Sequence, residues 1–317
     1  MPYKSLAESI LLAPAENGAN KLCILTKSAS PNMASWLLFN HIRKLKTFIN
    51  IELIIDTAGS DGISVSAHEG FKGLHTMIPN FICSYIYESI PVYTNLYIWL
   101  KDDIPIVAYA GTAAFEQSDF LVKTHESISL YNTSEAWEQY QTAVNNSVYC
   151  NYAEVEEDVM IYQTPAISAS IKKDCDPLHH RSDEVFLPLV TKRTGEPGIH
   201  SGLNWGQRKG RNPNQAYIPL PIKIAKSGFF PVDPIESPPH FSVVTDDKRH
   251  LILRVEQQNQ KAITTPLSNA QLGEYFRNRL NLANGVFVTR ADLERHGRIN
   301  VRFVKIDSEH YYMDFSV

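Results

Sequence analysis

Residues 202–221 read GLNWGQRKGRNPNQAYIPLP, and seven of the eight charged residues between Lys192 and Lys226 are basic. Arg208, Lys209 and Arg211 supply positive charge in this string, while Asn204, Gln207, Asn212, Asn214 and Gln215 carry amides. An arginine can take guanine O6 and N7 with two hydrogen bonds, and Asn or Gln can take adenine N6 and N7 in the same forked way. A loop dense in both offers base discrimination as well as phosphate affinity. Trp205 adds an aromatic face, and Gly206 and Gly210 are expected to let backbone approach a partner closely. The bland alternative is a solvated basic loop whose amides cap its own turns. Charge is unevenly spread: residues 171–317 hold 21 Lys+Arg against 16 Asp+Glu, whereas residues 1–170 hold 9 against 18. A positive half beside a negative half fits a chain of which one part meets phosphates and the other does not.

At 317 residues the chain is long enough for two ordinary cores. Cys23, Cys83, Cys150 and Cys175 are the only cysteines, widely separated and without a CxxC pair or a histidine at ligand spacing, so neither a disulfide framework nor a metal site is expected. The start MPYKSLAESILLAPAENG lacks the basic opening and long apolar run of an export signal, and no apolar stretch approaches the roughly 18 residues of a membrane span. A cytoplasmic protein without cofactor or membrane contact is the expectation.

Periodicity divides the chain further. Ala19–Lys27 and Ile51–Asp56 are short apolar runs consistent with buried strands. Between them Pro31–Asn50 has helical spacing through Trp36, Leu37, Phe39, Ile42 and Leu45. Strand, helix and strand at this spacing predict a parallel sheet. Phe81–Tyr87, Leu96–Leu100 and Ile106–Ala110 read as further strands, and Ser134–Asn145 as a helix with Trp137, Tyr140 and Val144 on one face. Residues 1–165 are thus expected to form an α/β domain and 166–184 a linker. Residues 185–317 are expected to form a mainly-β sandwich or barrel, since short β-prone segments recur at Val185–Thr191, Ala216–Ile224, Phe241–Thr245, Leu251–Gln257, Val286–Thr289, Asn300–Ile306 and Tyr311–Phe315. One helix, Ser268–Leu282, interrupts them with Leu272, Tyr275, Phe276 and Leu280 inward. Its Arg277 and Arg279 read as a solvated face. A short helix from about Ala291 would place Thr289, Arg290, Arg295 and Arg298 at a second basic turn, with ordinary i,i+4 pairing as the alternative.

The string at 202–221, with KSGFFP, FSVVTDD, GEYFRNRLNLANGVFVTRADLERHGR and the terminal YYMDF, resembles the C-terminal region of NgoFVII-type restriction endonucleases over roughly residues 185–317. The resemblance implies a DNA-recognition pseudobarrel of the plant B-three type, with two arms in the major groove. One arm would contain the segment from Asn204 to Gln215 and the other the Thr289–Arg295 turn. The first half resembles the phospholipase-D-like domain of the same enzymes, which cuts DNA without metal, pairs as a homodimer to build one active site, and in some members works with a helicase-like ATPase. That domain's pattern is His-x-Lys before an LYxW-type strand, a GSAN-type loop and a downstream Glu.

Here VYTNLYIW puts Tyr93 in place of the histidine and Asn95 in place of the lysine. GTAAF puts Thr112 for Ser and Ala114 for Asn, and only Glu126 matches. A tyrosine is a poor acid-base group near neutrality, and a neutral Asn95 removes a cation from the phosphate site. His68, Lys72 and His75 in AHEGFKGLH, together with His125, are the substitutes the sequence offers. The residues thus lead to a sequence-specific binder of double-stranded DNA whose phosphodiesterase site is degenerate. An active endonuclease using other residues or a partner subunit is one alternative, and a protein-binding structural module is another.

Overall fold

In the computed structural model the residues described are 5–46, 49–58, 62–87, 92, 94–122, 126–163, 183–232, 237–256 and 260–317. Tyr93, His125, Cys175 and nearly all of the expected linker lie outside them. The chain divides into two compact units, Met1–Thr164 and Pro165–Val317.

The first unit is built on β1 (Lys21–Thr26), β2 (Asn50–Ile55), β4 (Phe81–Ile86), β5 (Asn95–Lys101), β6 (Ile104–Gly111), β7 (Ile128–Tyr131) and β8 (Ser147–Tyr149), in the order β7-β6-β5-β1-β2-β4-β8. A small separate pair joins β3 (Ile63–Ser64) to β9 (Ile161–Tyr162). Helix α1 (Pro31–Leu45) links β1 to β2, and α2 (Val65–Met77) links β2 to β4. Both connections join parallel neighbours, so the right-handed crossover rule puts both helices on one face. The opposite face, carrying Cys23, Leu25, Leu96, Ile98, Leu100 and Ala108, is covered by α3 (Thr133–Asn145).

The parallel pairing expected of the strand-helix-strand unit joins β1 to β2 and extends to β4. β5, β6, β7 and β8 join antiparallel, β5 and β6 as a hairpin through Asp102 and Asp103, both with positive φ. α3 turns Ala136, Tyr140 and Ala143 inward, with Trp137 stacked on Tyr140, and leaves Val144 exposed. Helix α1 begins where Ser30 Oγ accepts from Met33 N, with Pro31 in the first turn, and ends at Lys46 in the left-handed region.

The second unit is a seven-stranded sheet in the order β10-β15-β16-β12-β13-β14-β11, comprising β10 (Glu184–Pro188), β11 (Ile218–Pro219), β12 (His240–Thr245), β13 (His250–Glu256), β14 (Ala262–Thr264), β15 (Asn300–Lys305) and β16 (His310–Asp314). Only β12 and β16 pair in parallel. The terminal strands β10 and β11 approach one another, so the sheet curls into a nearly closed barrel. Its interior centres on Phe230, whose ring lies 4.8 Å from Phe229, 5.4 Å from Phe241 and 5.3 Å from both Phe303 and Tyr311. Helix α4 (Asn269–Arg279) packs Leu272, Tyr275 and Phe276 into this core, and α5 (Arg290–His296) adds Leu293.

One expected strand is cut short and another is absent. Within 216–224 only Ile218 and Pro219 pair, since Pro221 starts a helical turn, Ile222–Ala225. Residues 286–289 form no strand because side chains, not a neighbouring strand, take their backbone groups. Phe230→Ala removes a fully buried ring from the centre of the barrel and is expected to cost about 3–5 kcal/mol, measured as a lowered denaturant midpoint with an unchanged m-value.

Candidate nucleic-acid interface

Arg277 is fully buried. Its Nε donates to the Val286 carbonyl at 2.8 Å. Nη1 donates to Gly273 O, and Nη2 to Leu203 O and Pro213 O, each at 3.2 Å. The expectation of a solvated face is corrected for both arginines of α4. Arg277 lies four residues after Gly273 and three before Leu280, on the inward stripe of the helix, so 3.6-residue periodicity carried the signal. Burial lowers its pKa while nearby Glu274 opposes that shift. Arg279 forks onto Asp246 at 2.8 and 2.6 Å and reaches the Phe315 carbonyl.

Arg277 therefore joins three segments: the start of the 203–215 loop, its Pro213 turn, and the 284–288 turn. Other side chains complete the lacing. Asn204 is fully buried, with Nδ2 donating to Val288 O and Oδ1 accepting from Val288 N, both at 2.8 Å. Asn214, also buried, accepts from Gly285 N at 2.6 Å and donates to Glu274. Gln207 donates to Gly285 O at 2.9 Å and to Pro213 O at 3.2 Å. These amides were expected at base edges. Asn204 and Asn214 are corrected to structural residues because their groups are occupied and out of solvent, and Gln207 keeps only its carbonyl oxygen free. Gly206 serves the loop itself: a Cβ there would overlap the Asn212 carbonyl oxygen. Likewise a Cβ at Gly273 would overlap the Asn214 carbonyl, so this glycine lets the loop lie on α4.

The exposed side chains on this fixed backbone are Arg208, Lys209, Arg211 and Asn212, with Gln215 half-buried. Arg208 and Lys209 have no partner among the described residues. Arg211 lies 4.5 Å over the Trp205 ring and donates to Gln215 Oε1 at 3.2 Å, so its guanidinium is held in place without being neutralised. Asn212 Oδ1 accepts from Asn214 N and sets the turn, leaving its NH2 group outward.

The second turn differs. Thr289 caps α5 in a capping box with Asp292, and Arg290, Arg295 and Arg298 pair with Glu294, Asp292 and Asp314 at 2.6, 3.0 and 2.8 Å. The alternative of intrahelical pairing holds here for Arg290 and Arg295. Arg290 also donates to Gly195 O at 2.9 Å, which brings the 191–196 turn alongside and with it exposed, unpaired Lys192 and Arg193. The three loops thus form one laced surface with five uncompensated cations.

In the first unit Asn95, Thr112, Ala114 and Glu126 lie near the end of the sheet where β1 and β6 finish and β5 and β7 begin. Asn95 is buried and its amide is saturated: Oδ1 accepts from Thr26 Oγ1 at 2.9 Å and Lys27 N at 3.0 Å, and Nδ2 donates to the carbonyls of Gly111 and Thr112. Thr112 Oγ1 accepts from Ser127 N, beside Glu126, and Ala114 N donates to Asp119. Lys27, which the sequence reading passed over, leaves this end as an exposed cation.

Of the substitutes, His68, Lys72 and His75 lie elsewhere, and His125 is outside the described residues. His68 is buried against the Tyr85 hydroxyl at 3.1 Å, with burial foremost and then Lys72 lowering its pKa. Register places Tyr85 three strands from Asn95, roughly 14 Å at ordinary strand spacing. His75 accepts from Cys83 N, and Lys72 pairs with Glu69 at 3.1 Å. Among the described residues no cluster of His, Cys, Asp or Glu suits a metal ion, and no helix is long and apolar enough to cross a membrane.

A sheet of mixed direction flanked by helices, followed by a nearly closed barrel bearing a basic loop surface, defines a two-domain DNA-binding protein. Residues 4–157 match the model of the NgoFVII restriction endonuclease N-terminal PLD domain, and residues 179–307 that of the NgoFVII C-terminal B3-like DNA-binding domain. The chain belongs to the NgoFVII restriction endonuclease family. No match was found among curated proteins.

Replacing Arg277 by Met keeps the volume but removes four hydrogen bonds and leaves the Leu203 and Val286 carbonyls without a donor. The expected loss is about 3 kcal/mol of stability, together with protease cleavage within 203–215 that the parent resists; unfolding curves and limited proteolysis followed by mass spectrometry check both.

Proposed function

We propose that this protein recognises a short double-stranded DNA sequence through the laced loops 191–196, 203–215 and 284–290, and that the phosphodiesterase site of its N-terminal domain is lost. The observation that carries the first part is the contrast between arginines. Those of α4 and α5 are spent on internal carbonyls and carboxylates, while Lys192, Arg193, Arg208, Lys209 and Arg211 stand exposed on backbone held by buried amides and a buried guanidinium. Preset cations lower the ordering cost of binding. Asn212 and Gln215 beside them offer amides for base edges, with Arg208 the leading candidate for a bidentate guanine contact.

For the second part the support is chemical. The family's His and Lys positions hold Tyr93 and Asn95, and every hydrogen-bonding group of Asn95 is engaged within the fold. Phosphoryl transfer at this end would lack the imidazole of the family pattern and the ammonium at position 95, the groups that supply proton transfer and charge neutralisation. The N-terminal domain then serves self-association, placing two reading heads on one assembly. Its edge strand β7 and neighbour β6 expose Leu130, Ile104 and Ile106, side chains suited to a second copy.

Selection from a random duplex library is expected to enrich a short motif, bound with steep salt dependence. Arg208→Ala is expected to weaken motif binding by about 1–3 kcal/mol and Lys209→Ala to weaken all sequences alike; equal affinity of both variants and parent for the motif removes the loop from the interface. Duplexes carrying that motif should remain intact with wild-type protein in EDTA, and cleavage there restores the endonuclease reading. Tyr93→His with Asn95→Lys should not restore cutting, because a buried ammonium replaces four satisfied bonds at a cost of several kcal/mol. Thermal unfolding of Asn95→Lys alone checks that cost.

A further inference from the structure

The turn that is bonded to the 203–215 loop through Gly285, and followed by Arg290 bonded to the 191–196 loop, carries an apolar feature that the cations do not explain. Val286 and Phe287 are 41 % and 38 % exposed, on a turn with no hydrophobic cover of its own. Mobile loops shed exposed aromatics into the core or avoid them; this one is fixed in place. Gly285 N bonds Asn214 and Gly285 O accepts from Gln207. Val286 O accepts from Arg277, and Val288 N and O both bond Asn204. Thr289 N then donates to Asp292. Among residues 285–289 only Phe287 lacks any hydrogen bond to a described residue. Arg277, Asn204 and Asn214 thus hold the backbone on both sides of Phe287 and leave its side chain partly exposed, on a turn bonded to the loop that carries Arg208, Lys209 and Arg211.

We infer that Phe287, backed by Val286, is a specificity-determining residue that packs on the 5-methyl group of a pyrimidine in the major groove. The inference rests on the DNA-reading function proposed above and names the part of the site that the charged residues cannot read. The argument is one of complementarity. The surrounding cations bring a phosphate-lined groove against the loop, and there the one apolar group on a base-pair edge is the pyrimidine 5-methyl, which takes contacts from side chains such as Phe. A ring preset by Arg277 and Asn204 meets it without an ordering cost. The same chemistry belongs to thymine and to 5-methylcytosine, so a modified cytosine at that position would be accepted where cytosine is not.

The test uses the full-length protein and the motif obtained from random-library selection, with each thymine replaced in turn by uracil and each cytosine by 5-methylcytosine. At one position the wild type is expected to lose about three- to fivefold in affinity when the methyl is removed, the worth of one buried methyl group. Phe287→Ala should bind the thymine duplex as weakly as the wild type binds the uracil one and no longer distinguish them, while Phe287→Leu retains part of the discrimination. Non-specific binding and its salt dependence should be unchanged in both variants, showing an intact fold and phosphate grip. Indifference of the wild type to every 5-methyl group, or full discrimination by Phe287→Ala, overturns the inference while leaving sequence-specific binding in place. Failure of the library to yield any motif removes the proposed function and this inference with it.

Discussion

A single guanidinium without a bonded carboxylate organises the basic loop surface. Arg277 reaches four carbonyls on three segments of chain, two of them loops that have neither strand partners nor an apolar core. Burying a charge this way is costly, and the cost is offset only if each donor finds an acceptor and the site stays dry. Asn204, Asn214 and Gln207 satisfy the remaining backbone groups nearby, so the network is complete rather than half-made. Planarity matters here: five donors in a fixed fork can hold divergent carbonyls at set angles, which an ammonium on a flexible stem cannot. The loop conformation that exposes Arg208 and Lys209 is thereby a property of the helix behind it.

The same contrast separates the two ends of the molecule chemically. In the barrel, polar side chains are buried to hold other polar groups outward. At the sheet end of the first unit, Asn95 is buried to hold the sheet together: it joins β1 to the β6–β7 turn through Thr26, Lys27, Gly111 and Thr112. A phosphate site needs cations whose donors point into open space. A saturated carboxamide such as that of Asn95 offers none.

Much of this was legible in the sequence, and the pattern of what was not has a physical cause. Strands β1, β2, β4, β5, β12, β13, β15 and β16 and helices α1, α3 and α4 announce themselves because burial imposes a period of 2 or 3.6 on long segments. Direction does not follow from periodicity alone: the strand-helix-strand spacing points to the parallel β1–β2 pair, and the turn at Lys101-Asp102-Asp103 to the antiparallel β5–β6 pair. β7, β8 and β14 are three or four residues long, too short for a period to show. The basic string at 202–221 does form a loop with exposed cations, yet composition alone could not sort its amides into those that build the loop and those that face outward. Asn204, Asn212 and Asn214 are chemically identical; only the register of Gly206 against residues 212–215 decides which are buried.

Helix α4 shows how that sorting arises. Gly273 and Arg277 occupy successive turns of one stripe, the first with no side chain so that the 212–215 backbone can lie on the helix, the second with the longest donor array so that the same backbone is bonded once there. Neither residue stands out alone, since a glycine in a helix reads as a weakness and an arginine as a solvated charge. As a pair four apart, flanked by buried Leu272 and Phe276, they describe a helix that receives a polar loop instead of an apolar sheet. An inward stripe combining a gap and a guanidinium then implies that what packs on it is irregular backbone. For this chain that backbone is the one bearing the free cations.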